Sequence, residues 1–300
     1  MVDQYAKFLK QAGRVKWRKP IASLNYLLSS LGWRQEHNGY SHQNPSFVAN
    51  VLEKHGEFSS VYFPTDGNSY TVTMEETFKQ KNKINVIVMG KQKMPQWLSI
   101  SEAKKQFENG IAIWDWVDKK GSKNPDVVFA ASGDHMTQEV LAAVDLLKDE
   151  MPELKVRFVS ISELTSLGLG TAKNPLNAKS KDFEKYFAKN VPIIYNFHGY
   201  AHSVQKLLFQ HPHANRFSIH GYMEEGGTTT PFDMQIRNQT SRFHLIIDAL
   251  EKVSVQRKDL ATKSKAVIKK YTKRIEEHTK YIIKYGKDFD DVENWEWKNR

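Results

Sequence analysis

The sequence predicts an α/β protein of two domains, each with a mainly parallel sheet flanked by helices. Three observations carry this. Apolar runs of strand length alternate with amphipathic runs of helix length along most of the chain, which is the pattern of repeated βαβ units. The run 84–89 contains few polar residues, as expected of a parallel strand covered on both faces. The alternation pauses between Leu98 and Gly121 and restarts near Asp126, which marks a domain boundary. We set the division at residues 1–110 and 111–300.

Taken in order, residues 3–13 form a short helix with Tyr5, Phe8 and Leu9 on one side. Residues 20–31 read as a second helix, with Leu24, Leu27, Leu28 and Leu31 in a stripe and Pro20 in the first turn, where a missing N–H does no harm. A polar segment follows, then a helix over 45–54. Residues 59–63 are a strand closed by Pro64, Asp66 and Gly67. Residues 70–81 are mostly helical, and 84–89 are the next strand. Pro95-Gln96-Trp97 breaks the chain. A helix over 101–108 has Ser101 as N-cap and Glu102 in its first turn. Beyond the boundary come a strand at 126–131, a turn at Ser132-Gly133-Asp134 and a helix over 137–148 with Val140, Leu141, Val144 and Leu147 on its stripe. Strands at 156–161, 191–197 and 217–222 alternate with helices at 183–189, 203–209 and 243–253, and an irregular stretch occupies 166–180. A long basic helix over about 260–285 carries Val267, Ile268, Tyr271, Ile275, Tyr281 and Ile282 at helical spacing.

Composition narrows the function. The 300 residues include no cysteine, which excludes a disulfide framework, a thiolate metal site and a Cys nucleophile. The first residues lack the apolar core of a secretory signal, and no run approaches the roughly 18 apolar residues of a membrane span. A soluble cytoplasmic protein is the expectation. The net charge of +10 is local: residues 257–287 hold 11 Lys or Arg against 3 acids, and the rest is close to neutral. Nucleic-acid binding would want basic and aromatic residues converging on one groove, and a packed helix with solvated lysines is preferred.

The chemistry concentrates in residues 32–45, Gly-Trp-Arg-Gln-Glu-His-Asn-Gly-Tyr-Ser-His-Gln-Asn-Pro. No helix or strand period fits, so a loop is expected. Gln35, His37, Asn38 and His42 offer donors and acceptors that suit a phosphorylated sugar; the plain alternative is a polar surface loop turning at Asn38-Gly39. Lys91, just past the strand at 84–89, sits where open α/β sheets bind ligands and suits phosphate. Two other motifs read more plainly. Tyr222 to Met234 carries Glu224, Glu225 and three threonines, taken as a turn whose hydroxyls satisfy backbone groups before a helix at Pro231, in preference to acid–base or metal chemistry. His198 and His202 are four apart, yet no third ligand is indicated and no metal site is expected.

The blocks 17–28 and 33–43 closely resemble the phosphoketolases, thiamine-diphosphate enzymes of the transketolase superfamily. The likeness continues through Gly90-Lys91-Gln92, Pro95-Gln96-Trp97-Leu98, Ala142 to Leu147 and His198-Gly199-Tyr200, and ends near Arg242-Phe243-His244. The resemblance implies cleavage of xylulose 5-phosphate or fructose 6-phosphate by inorganic phosphate, giving acetyl phosphate and an aldose phosphate. It implies His42 and His37 as active-site histidines, Gln35 and Asn38 as hydrogen-bonding partners of substrate, and Lys91 as the phosphate holder. It also implies a homodimer for the full-length enzyme. Residues 1–110 would be the trailing part of the pyrimidine-binding domain, and 111–300 a transketolase-like C-terminal domain. Family proteins are much longer on the N-terminal side, where a Gly-Asp-Gly type motif binds the diphosphate and Mg²⁺ and a glutamate protonates the aminopyrimidine. Neither is found here; Gly133-Asp134-His135 is followed by a C-terminal-domain match. The chain alone is therefore expected to be inactive. A scaffolding module that keeps the fold, or a basic nucleic-acid-binding module, is the alternative.

Overall fold

The computed structural model describes residues 1–29, 33, 45–54, 58–167, 182–209, 211, 213–223 and 227–298. Its strands form two sheets. The first has the order β1-β3-β2, all parallel, from β1 (Leu24–Leu28), β2 (Ser59–Tyr62) and β3 (Ile84–Val88). The second has the order β4-β6-β5-β7-β8, from β4 (Ile111–Ile113), β5 (Val127–Ser132), β6 (Val156–Ile161), β7 (Ile193–Phe197) and β8 (Phe217–His220). All its pairings are parallel except β4 with β6. The expected α/β class with parallel-dominated sheets is the one observed.

The helix expected at 20–31 is not formed over the described residues 20–29. Their leucines do fit helical spacing, but β1 pairs residue for residue with β3, from Leu24 opposite Ile84 to Leu28 opposite Val88. Asn85 lies fully buried in β3, and its Nδ2 donates to Asn25 Oδ1 across the pair at 2.8 Å. A helix would leave both β3's ladder on that side and this amide without partners, a cost that outweighs local propensity. β4 has no counterpart among the expected strands. It is only three residues long, directly follows a helix, and is fixed by pairing with β6 rather than by a pattern of its own.

The helices α1 (Val2–Gly13), α2 (Ser46–Leu52), α3 (Gly67–Lys79) and α4 (Ile100–Asn109) accompany the first sheet. The N-cap of α4 is Ser99, not Ser101. Ser99 Oγ accepts from the Glu102 N–H, and Glu102 Oε2 accepts from the Ser99 N–H at 2.8 Å, a reciprocal capping box. In the second unit, α5 (Asp134–Glu150) and α9 (Arg242–Gln256) pack together. The buried Glu139 joins them, accepting from Arg242 Nη2 at 2.8 Å and from the Arg242 N–H at 2.8 Å. The remaining helices are α6 (Asp182–Phe187), α7 (Ala201–Leu208), α8 (Pro231–Arg237), α10 (Ala261–Tyr285) and α11 (Asp290–Glu293).

Two apolar clusters fill the molecule. One packs β5 residues Phe129 and Ala131 beneath α5, α9 and α10. The other joins Val61, Ile84, Val86 and Val88 of the first sheet to Val128, Ala130, Val159 and Tyr195 of the second. The basic helix α10 packs on α9 through Val267 and Tyr271. Several of its cations are met within the chain: Lys263 by Glu153 at 2.8 Å, Arg274 by Asp291 at 2.8 Å, and Lys270 by Glu150. No helix among the described residues is long and apolar enough to cross a membrane.

Candidate functional site

The carboxyl ends of β3, β5 and β7 meet around one buried carboxylate, Asp134. It opens α5 directly after β5, through Gly133, whose φ of +104° an L side chain rarely adopts. A Cβ at Gly133 would also lie 2.9 Å from His198 Nδ1. Asp134 Oδ2 accepts from the Gly90 N–H at 2.7 Å, and Oδ1 accepts from the His135 N–H at 2.7 Å. His198 Nδ1 stands 4.0 Å from Oδ1. Burial alone would push the Asp134 carboxyl upward. The charges of His135 and His198 and the two N–H donors outweigh it and hold the group below its ordinary value.

Gly90 is the point where the first sheet touches this carboxylate. A Cβ there would sit 2.9 Å from Asp134 Oδ2 and 3.4 Å from His135 Nε2, so the close approach requires glycine. The segment that follows is also held at its far end. Asp66 caps α3 by accepting from the Ser69 N–H at 2.7 Å, and its other oxygen accepts from the N–H groups of Trp97 (2.8 Å) and Leu98 (2.7 Å). Lys91 lies between these anchors, exposed, one residue beyond Gly90.

His198 follows β7, and its N–H donates to the Ser132 carbonyl at 3.2 Å. Its own carbonyl accepts from Trp33 Nε1 at 3.0 Å. Trp33 is 2% exposed and meets Tyr222 edge-on, with ring centres 5.4 Å apart. Pro45, at the other end of the polar block, has its Cβ 3.3 Å from where a Gly199 Cβ would stand. Trp33 and Pro45 therefore both reach the turn at 198–199.

Among the expected site residues, Lys91 is thus placed on the junction's rim. Gln35, His37, Asn38 and His42 lie outside the described residues. The link between Asp134 and Gly90 was not expected from the sequence. The available signal was a Ser-Gly-Asp turn between a buried strand and a long helix. His198 and His202 do not act together: His198 is buried at the junction, while His202 is exposed and stacks on Tyr200 at 5.2 Å. In the 222–234 run α8 does start at Pro231, but two of the threonine hydroxyls donate to carboxylates, Thr229 to Asp233 at 2.5 Å and Thr230 to Asp288 at 2.6 Å. Glu224 and Glu225 lie outside the described residues. Among the described residues no grouping of three or more His, Asp or Glu could hold a metal ion.

Two family models match the chain. Residues 1–80 match the family model described as D-xylulose 5-phosphate/D-fructose 6-phosphate phosphoketolase, and residues 91–297 match the XFP C-terminal domain. Similar curated proteins include a probable phosphoketolase of Brucella abortus, 40% identical over 297 residues, and probable phosphoketolase 2 of Nostoc sp., 42% identical over 297 residues. Each alignment covers 99% of this chain and 37% of the relative, so the chain spans little more than a third of their length. Among solved structures, the fold is similar to transketolase from Pichia stipitis in complex with sedoheptulose-7-phosphate, with a TM-score of 0.53 and 18% identity over 76% of this chain and 29% of that one. It is also similar to a split gene transketolase described as an inactive beta4 tetramer, with a TM-score of 0.51 and 16% identity over 78% of this chain and 67% of that one.

Proposed function

This chain belongs to the phosphoketolase family, and from that premise we propose that it is the carboxyl-terminal portion of an aldehyde-lyase. The enzyme would cleave xylulose 5-phosphate or fructose 6-phosphate with inorganic phosphate to give acetyl phosphate and an aldose phosphate. Residues 1–110 form the trailing part of the pyrimidine-binding domain and 111–300 the transketolase-like C-terminal domain. The full-length protein works as a cytoplasmic homodimer.

One observation carries the reading. The stem of Lys91 is tied through Gly90 to Asp134, Asp134 faces His198, and His198 holds Trp33, where the polar block begins. Lys91, Trp33 and Pro45 thus meet at one junction at the carboxyl ends of parallel strands, where α/β sheets bind ligands, and Gln35, His37, Asn38 and His42 lie between Trp33 and Pro45 in sequence. In this role Lys91 holds the substrate's phosphate as a point charge. His42 and His37 move protons near neutral pH, and Gln35 and Asn38 orient the ketose.

Thiamine diphosphate, which the family relation implies, supplies the carbanion chemistry when bound. The described residues do not fit its metal-anchored half, because no cluster among them can hold a cation. The diphosphate and Mg²⁺ ligands are assigned to the portion of the family protein that this chain does not cover.

A turnover assay with ketose phosphate, phosphate, thiamine diphosphate and Mg²⁺ tests the proposal. The chain should be silent alone and should yield acetyl phosphate once a relative's N-terminal portion is supplied in trans or by fusion. In that assembly Lys91→Ala should raise KM for the ketose phosphate about 10- to 100-fold, the loss of one charge-assisted contact of roughly 1.5–3 kcal/mol. Turnover by the isolated chain, or an unchanged KM in the variant, would contradict it.

A further inference from the structure

A second polar cavity, of about 620 Å³, lies apart from the Gly90–Asp134 junction, between the first sheet and the end of α4. Tyr62 of β2, Gln80 and Lys81 after α3, Lys83 before β3, Lys104 of α4 and Glu163 after β6 line it. Both sheets contribute, since Tyr62 and Glu163 pair as an antiparallel bridge. The volume falls in the range of small-molecule sites, roughly 300–1,000 Å³.

Its wall is unevenly satisfied. The Gln80 side chain lies against the Tyr62 hydroxyl, and its Oε1 is buried with no hydrogen-bond partner among the described residues. A buried acceptor left in that state is costly and calls for a donor. Burial, with the Glu163 charge beside it, pushes the Tyr62 phenol up to about 12, so Tyr62 keeps its proton. Burial likewise raises the Glu163 carboxyl above its ordinary range, against the hydrogen bonds from Thr165 and the charge of Lys83. At the rim, Lys81 and Lys104 are exposed and have no ion-pair partner among the described residues. Glu76, on the same wall, is already engaged by Lys79 at 2.9 Å. Glu108 lines the same wall, and Lys104 also acts on Glu75. The cavity therefore combines an unmet acceptor inside with two exposed ammonium groups at its mouth.

We propose that this cavity is a second ligand site, for a small phosphorylated polyol. The phosphate lies between Lys81 and Lys104, and a hydroxyl group donates to Gln80 Oε1. The inference does not rest on the catalytic reading, since Lys91 is not among the cavity's lining residues.

Isothermal titration of the 300-residue chain with glycerol 3-phosphate, inorganic phosphate and glycerol provides the test. Glycerol 3-phosphate should bind saturably, inorganic phosphate at least tenfold more weakly, and glycerol not measurably. The double variant Lys81→Glu/Lys104→Glu, at two exposed positions, should weaken glycerol 3-phosphate at least tenfold. Gln80→Leu should bring its affinity to that of inorganic phosphate, and Lys280→Glu, at an exposed position that does not line the cavity, should leave it unchanged. Absence of saturable binding, binding that survives the double variant, or binding lost equally in Lys280→Glu would each overturn the proposal.

Discussion

Replacing Asp134 by alanine removes the acceptor on which the junction converges, and its cost follows from the contacts. The carboxylate takes two N–H groups at 2.7 Å, from Gly90 and His135, and is only 3% exposed. Hydrogen bonds to a charged acceptor contribute roughly 1.5–3 kcal/mol each, and a buried donor left unpaired loses its hydration as well. Allowing partial re-entry of water into the space vacated, Asp134→Ala should cost about 3–5 kcal/mol, a large fraction of the stability of most domains. In urea, with a slope near 3 kcal/mol/M for a chain of this size, the midpoint should fall by about 1 M or more. Tryptophan fluorescence reports the transition. The sign with pH is fixed: the folded carboxyl titrates below its ordinary 3.8. Its contribution is therefore full above about pH 4 and is lost as pH falls through the folded value. A midpoint shift under about 0.3 M at pH 7, or a wild-type/variant difference that does not shrink as the pH is lowered, would refute the reasoning.

Three further outcomes are expected. Arg242→Met alone should destabilise by about 3–5 kcal/mol because it strands the buried Glu139 carboxylate, whereas adding Glu139→Leu should recover most of that loss in a double-mutant cycle of urea midpoints. Burial, with the nearby His220, lowers His244 to about 4, so the folded chain resists its protonation; wild-type stability should fall by up to about 3 kcal/mol between pH 6.5 and pH 4, and His244→Gln should flatten that slope in thermal melts across the range. Ser99→Ala should cost about 1 kcal/mol through loss of the capping box and increase amide exchange in the first turn of α4, while Ser101→Ala should change little.

The expected strands at 84–89, 126–131, 156–161 and 191–197 lie within two residues of β3, β5, β6 and β7 at either end. Each is mainly apolar, with Asn85, Asp126, Arg157, Ser160 and Asn196 as the polar exceptions, and burial on both faces leaves that mark in the residues themselves. β1 carried the opposite mark: its leucines happen to repeat at helical spacing, and its partner, β3, lies 60 residues away at Asn25 and Asn85. Lys91 stood out because a charge directly after a buried strand is conspicuous. Asp134 did not, because its significance is the N–H of Gly90, 44 residues earlier in the chain. Local patterns record burial and periodicity. They do not record which distant backbone group a carboxylate will meet.

The apolar cluster shared by Val61, Ile84, Val86 and Val88 on one side and Val128, Ala130, Val159 and Tyr195 on the other bears on how the chain comes apart. A line drawn at 110/111 separates two sheets but divides a single interior. Cutting there would bare the inner surfaces of both sheets, although the cluster beneath α5, α9 and α10 lies mostly in the second piece. The two halves should therefore melt together in one cooperative transition, with the first sheet lost at the same denaturant concentration as the second.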